Sequence, residues 1–107
     1  KYFWFEHAER NAIYNAARIG VSTKDCILYV EGIPCMDCAR AIVQAGIKKV
    51  VVHKQYVEDQ AKKEVQGIWN DHSKRTIVLF EEAFVELEYY DGEIIRNIHG
   101  WRNGELV

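Results

Sequence analysis

The stretch "CILYVEGIPCMDCARAIVQAGIKKVVVH", Cys26 to His53, decides the fold of this chain. Its first part is apolar and β-branched, which predicts a strand from Cys26 to Glu31. Pro34 suits the first turn of a helix, where its missing N–H is not needed, and "CMDCARAIVQAG" repeats apolar residues at helical spacing. The run "IKKVVVH" predicts a buried strand inside a parallel sheet. The stretch therefore predicts a strand, a helix and a second strand parallel to the first.

Further elements are predicted on either side of this unit. "EHAERNAIYNAARIG" has Ala and Ile at helical spacing, and Gly20 is suited to end the helix, so we predict a helix from Glu6 to Ile19. A third amphipathic helix is predicted from Val57 to His72, and a strand at "RTIVLF", residues 75–80. This alternation predicts an α/β fold with a mostly parallel sheet and helices on its faces.

The C-terminal part has a different pattern. In "AFVELEYYDGEIIRNI", Asp91-Gly92 separates two strand-like runs, which is typical of a β-hairpin. We expect residues 83–107 to be a C-terminal extension that carries this hairpin. At 107 residues the chain is long enough for one domain with one hydrophobic core, so we predict a single domain over residues 1–107.

Composition and charge narrow the classes of function. No apolar run approaches the roughly 20 residues that cross a bilayer, which predicts a soluble protein without a membrane partner. The formal net charge of −2 disfavours a nucleic-acid partner, because non-specific affinity for phosphates comes from Lys and Arg. The three cysteines are an odd number, which favours a reducing, cytoplasmic location.

Cys35 and Cys38 can be interpreted in three ways. A Cys-x-x-Cys pair at a helix N-terminus lowers a thiol pKa, so a redox couple is one possibility. A structural zinc knuckle is the second, although it needs four ligands. A catalytic metal site is the third. Cys26 has no cysteine near it in sequence and is expected to be a small buried apolar residue.

His7 and Glu9, in "HAE", favour the catalytic site. His-x-Glu followed by Pro-Cys-x-x-Cys is the signature of zinc-dependent nucleobase deaminases. His7, Cys35 and Cys38 supply three ligands and leave the fourth tetrahedral position open, as a catalytic zinc requires. Glu9 is the candidate acid and base, since a purely structural site has no use for a carboxylate beside it.

At these residues the sequence resembles the zinc-dependent cytidine and deoxycytidylate deaminase superfamily. "HAERNAIYNAA" and "LYVEGIPCMDCARAIVQAGIKKVVV" are most similar to the deoxycytidylate (dCMP) deaminases, over about Glu6 to Tyr56. His7 stands where free-nucleoside cytidine deaminases usually have Cys. "IPCMDCARAI" lacks the Glu-Pro-Cys and Met-Cys pairs of tRNA adenosine deaminases. The dCMP branch is therefore the closest match among the three.

The resemblance implies a fold, a cofactor and a reaction. The implied fold is a three-layer α/β/α sandwich, and the implied cofactor is Zn2+ bound by His7, Cys35 and Cys38. The reaction is hydrolysis of dCMP to dUMP with release of ammonia, in pyrimidine nucleotide metabolism, with Glu9 as the proton shuttle. The backbone amide of Ala8 is implied to bind the pyrimidine carbonyl. Members are commonly homo-oligomers regulated by nucleoside triphosphates, which makes both features expectations here.

One departure from the family limits this expectation. Members normally carry a helix and a β-hairpin before the His motif, and that segment contributes contacts to sugar and phosphate. The sequence begins at Lys1 without a Met, so we expect an N-terminally incomplete domain with a full metal centre and a partial substrate pocket.

Two further side chains are candidates for substrate binding. Asn11 follows His7 by one helical turn and is expected to reach a substrate hydroxyl or to support the site, unless it serves a neighbouring loop. Tyr56 is expected to stack on or hydrogen-bond the nucleotide, unless it is a packing residue. Four neighbouring basic residues are candidates for binding a phosphate, but most of them are expected to be solvated, because alternation along a strand sends their side chains to opposite faces: Lys48, Lys49, His53 and Lys54.

Two other functions stay open. One is a deaminase of another substrate that contains cytosine, adenine or guanine, such as a nucleoside, dCTP, a free base or tRNA. The other is a non-catalytic zinc-binding or redox module.

Overall fold

The computed structural model describes residues 4–63, 68–93, 101–102 and 105–106. A parallel three-stranded sheet forms the centre, in the order β1 (Ile27–Tyr29), β2 (Lys49–His53) and β3 (Glu86–Tyr90). The described helices are α1 (Ala8–Ile19), α2 (Met36–Gln44), α3 (Lys54–Lys63) and α4 (Ile68–Glu82). Two short antiparallel strands, β4 (Trp101–Arg102) and β5 (Glu105–Leu106), form a separate pair.

The hydrophobic core lies on one face of the central sheet. Val50, in the middle of β2, is in register with Leu28 of β1 and Leu87 of β3, so these three side chains share that face. The buried members of the core cluster come from α2, β2, α4 and the segments beside them: Ala39, Ile42, Ile47, Val50, Val52, Phe80 and Val85. β2 is therefore the buried centre of the sheet, as its Val-rich sequence predicts.

All four helices contribute to this same core. Side chains of each pack against it while partly exposed: Ile13 of α1, Val43 of α2, Val57 of α3 and Leu79 of α4. On the opposite face of the sheet, Ile27 and Tyr29 are 41% and 73% exposed. The α/β class and the parallel sheet are confirmed.

Glycine ends α1 as predicted. Gly20 has φ of +88°, in the left-handed region, and its N–H donates to the carbonyl of Ala16 at 2.9 Å. α2 begins two residues later than Pro34, which precedes the N-cap Cys35 and is buried. Pro34 thus fixes the approach to the helix and does not belong to its first turn.

The predicted strand at residues 75–80 is wrong, because those residues belong to α4. Thr76 and Phe80 are buried while Val78, between them, is 52% exposed. A strand would place all three on one face, whereas positions i and i+4 share a helix face. The predicted helix from Val57 to His72 is likewise replaced by α3 and α4. Short apolar runs with β-branched residues fit a buried helix as well as a strand, and packing decides between them.

The hairpin predicted around Asp91-Gly92 is described only in its first run. Its first run contains β3, which pairs in parallel with β2 and so completes the central sheet. Its second run lies almost wholly at residues 94–100, outside the described residues. Residues 86–90 are therefore part of the central sheet, and the hairpin itself stays a prediction.

The structure also describes the exposure of Cys26 and the length of the helices. Cys26 is exposed, one residue before β1, so its predicted burial is wrong. None of the described helices is both long and apolar enough to cross a membrane.

Candidate metal centre and substrate cavity

The three predicted metal ligands are placed by the starts of two helices. His7 is the N-cap of α1 and Cys35 the N-cap of α2, and both have extended backbone, with ψ of 145° and 169°. The Cys35 thiol accepts from the backbone N–H of Cys38, at 3.5 Å, where Ser or Asp would stand in an ordinary cap. Residues at helix N-termini face unsatisfied N–H groups and the positive end of the helix dipole, which favours thiolate ligands.

The donor atoms of these residues converge. His7 Nδ1 lies 3.6 Å from Cys35 Sγ and 3.4 Å from Cys38 Sγ, and the three donor atoms lie within 4.8 Å of one another. Zinc–sulfur bonds of about 2.3 Å and zinc–nitrogen bonds of about 2.0–2.1 Å at tetrahedral angles put sulfur and nitrogen about 3.5 Å apart. One imidazole and two thiols at this spacing therefore fit zinc and leave its fourth position to a non-protein ligand.

The Cys38 thiol needs a cation to ionise. Burial, followed by the neighbouring Cys35 thiol, raises the pKa of Cys38 to about 12. A bound divalent cation reverses this, since a coordinating thiol is deprotonated outright. The buried thiol is thus suited to hold a metal and poorly suited to act as a free redox nucleophile near neutral pH.

Arg10 places a positive charge beside the thiols. Burial opposes the charge of the guanidinium, but the two thiols and two carboxylates around it raise its pKa above the ordinary value. The carboxylates are Glu6, with Oε1 at 2.7 Å from Arg10 Nε, and Asp37, with Oδ2 at 3.8 Å from Nη1. Asp37 also pairs with Arg40. Arg10 thereby links the start of α1 to α2 and offsets the negative charge of two thiolates.

Glu9 and Ala8 stand at the start of α1 beside the donor cluster. Glu9 is half-buried, and its Oε2 lies 3.8 Å from Cys38 Sγ. The first backbone bond of α1 runs from Asn11 N–H to the carbonyl of His7, so the amide of Ala8, which precedes Asn11, has no partner within the helix. Both residues line the large cavity described next.

A cavity of about 640 Å³ opens from the donor cluster. Its walls come from the start of α1, from the segment between β1 and α2, and from one face each of α3 and α4. This volume lies within the range of small-molecule sites, about 300–1,000 Å³. The cavity therefore has room for a nucleotide-sized molecule with one end at the donor cluster.

Tyr56 of α3 lines the same cavity and packs on the ligand-bearing segment. Its backbone N–H donates to His53 Nδ1 at 3.3 Å, which caps the start of α3. A Cβ added to Gly32 would lie only 2.9 Å from Tyr56 Cε1. Gly32 thus lets the aromatic ring approach the backbone just before Pro34.

The remaining predicted residues lie elsewhere. Asn11 is exposed, is not among the lining residues, and bonds to the Asn15 amide through its own carbonyl groups, at 2.9 and 3.3 Å. Lys49 pairs with Glu86 and Glu88, and Lys54 with Asp91. None of the four basic residues named as phosphate candidates lines this cavity.

Two structural residues of the site have only weak sequence signals. Arg10 directly follows Glu9 in "HAER", and this position next to the metal motif is the sequence feature that indicates a role in the site. Thr76, on α4, is fully buried, and its hydroxyl donates to the carbonyl of Pro34 at 2.8 Å. No local pattern links Thr76 to a proline 42 residues earlier, so this contact depends on the tertiary fold.

Comparison with known proteins agrees with this geometry. Residues 4–54 match the family model of the cytidine and deoxycytidylate deaminase zinc-binding region. The chain is 54% identical over 50 residues to the deoxycytidylate deaminase of Enterobacteria phage T2, which covers 47% of this chain and 27% of that protein. It is 47% identical over 51 residues to the Homo sapiens deoxycytidylate deaminase, covering 48% of this chain and 28% of that protein.

A longer match extends beyond the metal centre. An uncharacterized deaminase in the luxG 3' region of Aliivibrio fischeri is 32% identical over 96 residues, which covers 90% of this chain and 59% of that protein. The chain thus spans about a quarter of the deoxycytidylate deaminases that it matches and somewhat over half of this relative. The zinc-fitting donor set of His7, Cys35 and Cys38 thus lies within residues 4–54, the part of the chain that matches the zinc-binding region of the cytidine and deoxycytidylate deaminases.

Proposed function

We propose that this protein is a zinc-dependent hydrolase that deaminates dCMP to dUMP and releases ammonia. One observation carries the proposal: the Glu9 carboxylate and the His7–Cys35–Cys38 donor cluster lie together at one end of a nucleotide-sized cavity. Metal-assisted hydrolysis requires a metal site, an acid–base group and space for the substrate, and this cavity brings the three together.

The three donors would hold the metal, and each contributes one ligand atom. His7 contributes Nδ1, and the two cysteines contribute thiolates whose charge Arg10 offsets. Zinc in this cage supplies a Lewis acid that makes a water molecule nucleophilic near neutral pH. Because both thiols sit at the start of α2, the metal position is fixed relative to the cavity wall formed by Ile33 and Cys35.

Glu9 carries the proton transfers. It accepts a proton from the attacking water and donates it to ring nitrogen N3 as the C4–O bond forms. It then transfers the remaining water proton to the amino group, so that the C4–N bond breaks and neutral ammonia leaves. Its place in the first turn of α1, two residues after His7, keeps the carboxylate within reach of both water and ring.

Ala8 and Tyr56 orient the substrate. The amide of Ala8 has no partner within α1, so it is free to donate to the pyrimidine carbonyl. The Tyr56 ring borders the cavity and offers a face or a hydroxyl to the nucleotide. The predicted role of Asn11 stays a prediction. Homo-oligomerisation and a nucleoside triphosphate effector likewise stay predictions from the resemblance, and a cytoplasmic location stays a prediction from the cysteine count.

A second candidate function is deamination of a different base, nucleoside or nucleotide. It is favoured by the relative that matches 90% of this chain, because its name gives a deaminase without a substrate. The chemistry at His7, Cys35, Cys38 and Glu9 would be the same, and only the recognition of the rest of the substrate would differ.

The test is ammonia release from a panel of substrates by the full-length, zinc-loaded protein. We expect dCMP to give the highest kcat/KM among dCMP, deoxycytidine, cytidine, dCTP and cytosine. Glu9→Gln should retain zinc and lose about 10²- to 10⁴-fold in kcat, the usual contribution of a positioned acid–base group. Glu58→Gln, on an exposed position of α3 outside the cavity lining, is the matched control and should keep full activity. Full activity in Glu9→Gln with zinc bound would refute the mechanism.

A further inference from the structure

The wall of the cavity that α4 forms carries a positive charge. Ser73, Lys74 and Ile77 line the cavity and occupy positions i, i+1 and i+4 of one helix face. Among the described lining residues, Lys74 is the single Lys or Arg. The cavity therefore has one place where a lysine ammonium can meet a negatively charged part of a substrate.

The charges around Lys74 leave it available for such a group. Glu9 and Glu31 are the carboxylates in the described lining, and neither lies within 4.0 Å of the Lys74 ammonium. Lys49 and Lys54, in contrast, already pair with carboxylates of β3 and the residue that follows it. A phosphate monoester entering a cavity with two carboxylates needs a cation, and Lys74 can supply it.

The position of Lys74 relative to the donor cluster is fixed by a buried contact. Thr76, two residues along α4, donates its hydroxyl to the carbonyl of Pro34 at 2.8 Å. Pro34 is joined directly to the metal ligand Cys35. α4 is therefore held against the segment that bears the ligands, and the flexible four-carbon stem of Lys74 spans the rest.

We propose that Lys74 binds the 5′-phosphate of the substrate and so sets the preference for a nucleotide over its nucleoside. This assignment rests on the proposed deamination, since it places the base at the donor cluster and the phosphate at α4. Lys74 is thus a specificity-determining residue contributed by the part of the chain that lies outside residues 4–54.

The test compares binding of dCMP and deoxycytidine, which differ by the phosphate alone. Both dissociation constants are measured by calorimetry on zinc-loaded full-length protein that carries Glu9→Gln, so that neither ligand is consumed. Lys74→Met keeps the apolar stem and removes the charge, Lys74→Arg restores a cation, and Lys62→Met removes an exposed cation that does not line the cavity.

We expect Lys74→Met to weaken dCMP binding about 10- to 100-fold, the range for a hydrogen bond to a charged group. The ratio of the deoxycytidine to the dCMP dissociation constant should fall by the same factor. Lys74→Arg should recover most of that ratio, and Lys62→Met should leave it unchanged. Added salt should weaken dCMP binding less in Lys74→Met than in its parent.

The remaining outcomes overturn the assignment in distinguishable ways. If the parent prefers dCMP and Lys74→Met keeps the same ratio, Lys74 does not bind the phosphate, while the proposed deamination stands. If Lys74→Met weakens both ligands equally, Lys74 has a structural role only. If the active protein releases ammonia from none of the substrates and binds neither ligand, both proposals fail.

Discussion

The helix that bears the His ligand and the helix that closes the cavity are held in the fold in opposite ways. α1 has no buried residue: apart from the partly exposed Ile13, which packs on the core, it is joined to α2 by the donor cluster and by the ion pair of Arg10 with Asp37. α4 is anchored by the buried side chains of Thr76 and Phe80. The fold can therefore form its cavity wall without metal, while the docking of α1 depends strongly on metal binding.

Phe80→Ala is expected to lower the free energy of unfolding most, because it removes a buried side chain that anchors α4. Phe80 is 1% exposed in the core, and truncation of a buried Phe costs about 3–5 kcal/mol because a cavity remains. Val78→Ala, at the 52% exposed position on the same helix, should cost less than about 1 kcal/mol. Urea denaturation measures both. Equal losses would show that α4 does not pack as described.

Cys35→Ser should act on α1 and spare α4. Structural zinc contributes about 10–16 kcal/mol, so one of four ligands is worth about 2.5–4 kcal/mol, or about 100- to 1,000-fold in zinc affinity. Zinc content and amide hydrogen exchange measure the result. We expect faster exchange in α1 with little change in α4. Cys26→Ser, at an exposed cysteine outside the cluster, is the matched control. An unchanged zinc affinity in Cys35→Ser would contradict the ligand set.

Thr76→Val should cause a smaller loss of stability, at the contact that joins α4 to the ligand-bearing segment before α2. It keeps the side-chain shape, removes the donor to the Pro34 carbonyl and leaves that acceptor buried, which costs about 1–3 kcal/mol. Thr23→Val removes a similar bond, from the hydroxyl to the Ala45 carbonyl at 2.7 Å, but in a partly buried place where water can replace it. Thermal denaturation should therefore show the larger loss for Thr76→Val. The opposite order would show that α4 is not tied to the ligand segment.

A pH titration of the metal-free protein tests the burial of the Cys38 thiol in α2. The pKa of Cys38 is raised from 9.0 to about 12 by burial, so the folded state holds its proton more tightly than the unfolded state does. This stabilisation is complete below about pH 9 and is lost as the pH rises through about 12. Urea denaturation between those values should show a steeper loss for the wild type than for Cys38→Ala. Identical slopes would contradict the burial of this thiol. Zinc affinity should change in the opposite direction and rise with pH.

The sequence by itself determined the first four elements and the donor set. Gly20 ends α1, and Val50–Val52 form the centre of β2, because backbone preferences and apolar spacing act over a few residues. His7, Cys35 and Cys38 could be assigned together because the chemistry of an open zinc site demands a particular set of residue types.

Only the tertiary structure decided the part of the chain after β2. Residues 75–80 are apolar enough for a strand or a helix, and burial of Thr76 and Phe80 against α2 and the sheet selected the helix. That choice freed Glu86–Tyr90 to complete the sheet beside β2, and it turned Lys74 toward the cavity. Local patterns specify where a helix can start or stop, but a short apolar run takes its conformation from the surface that it covers.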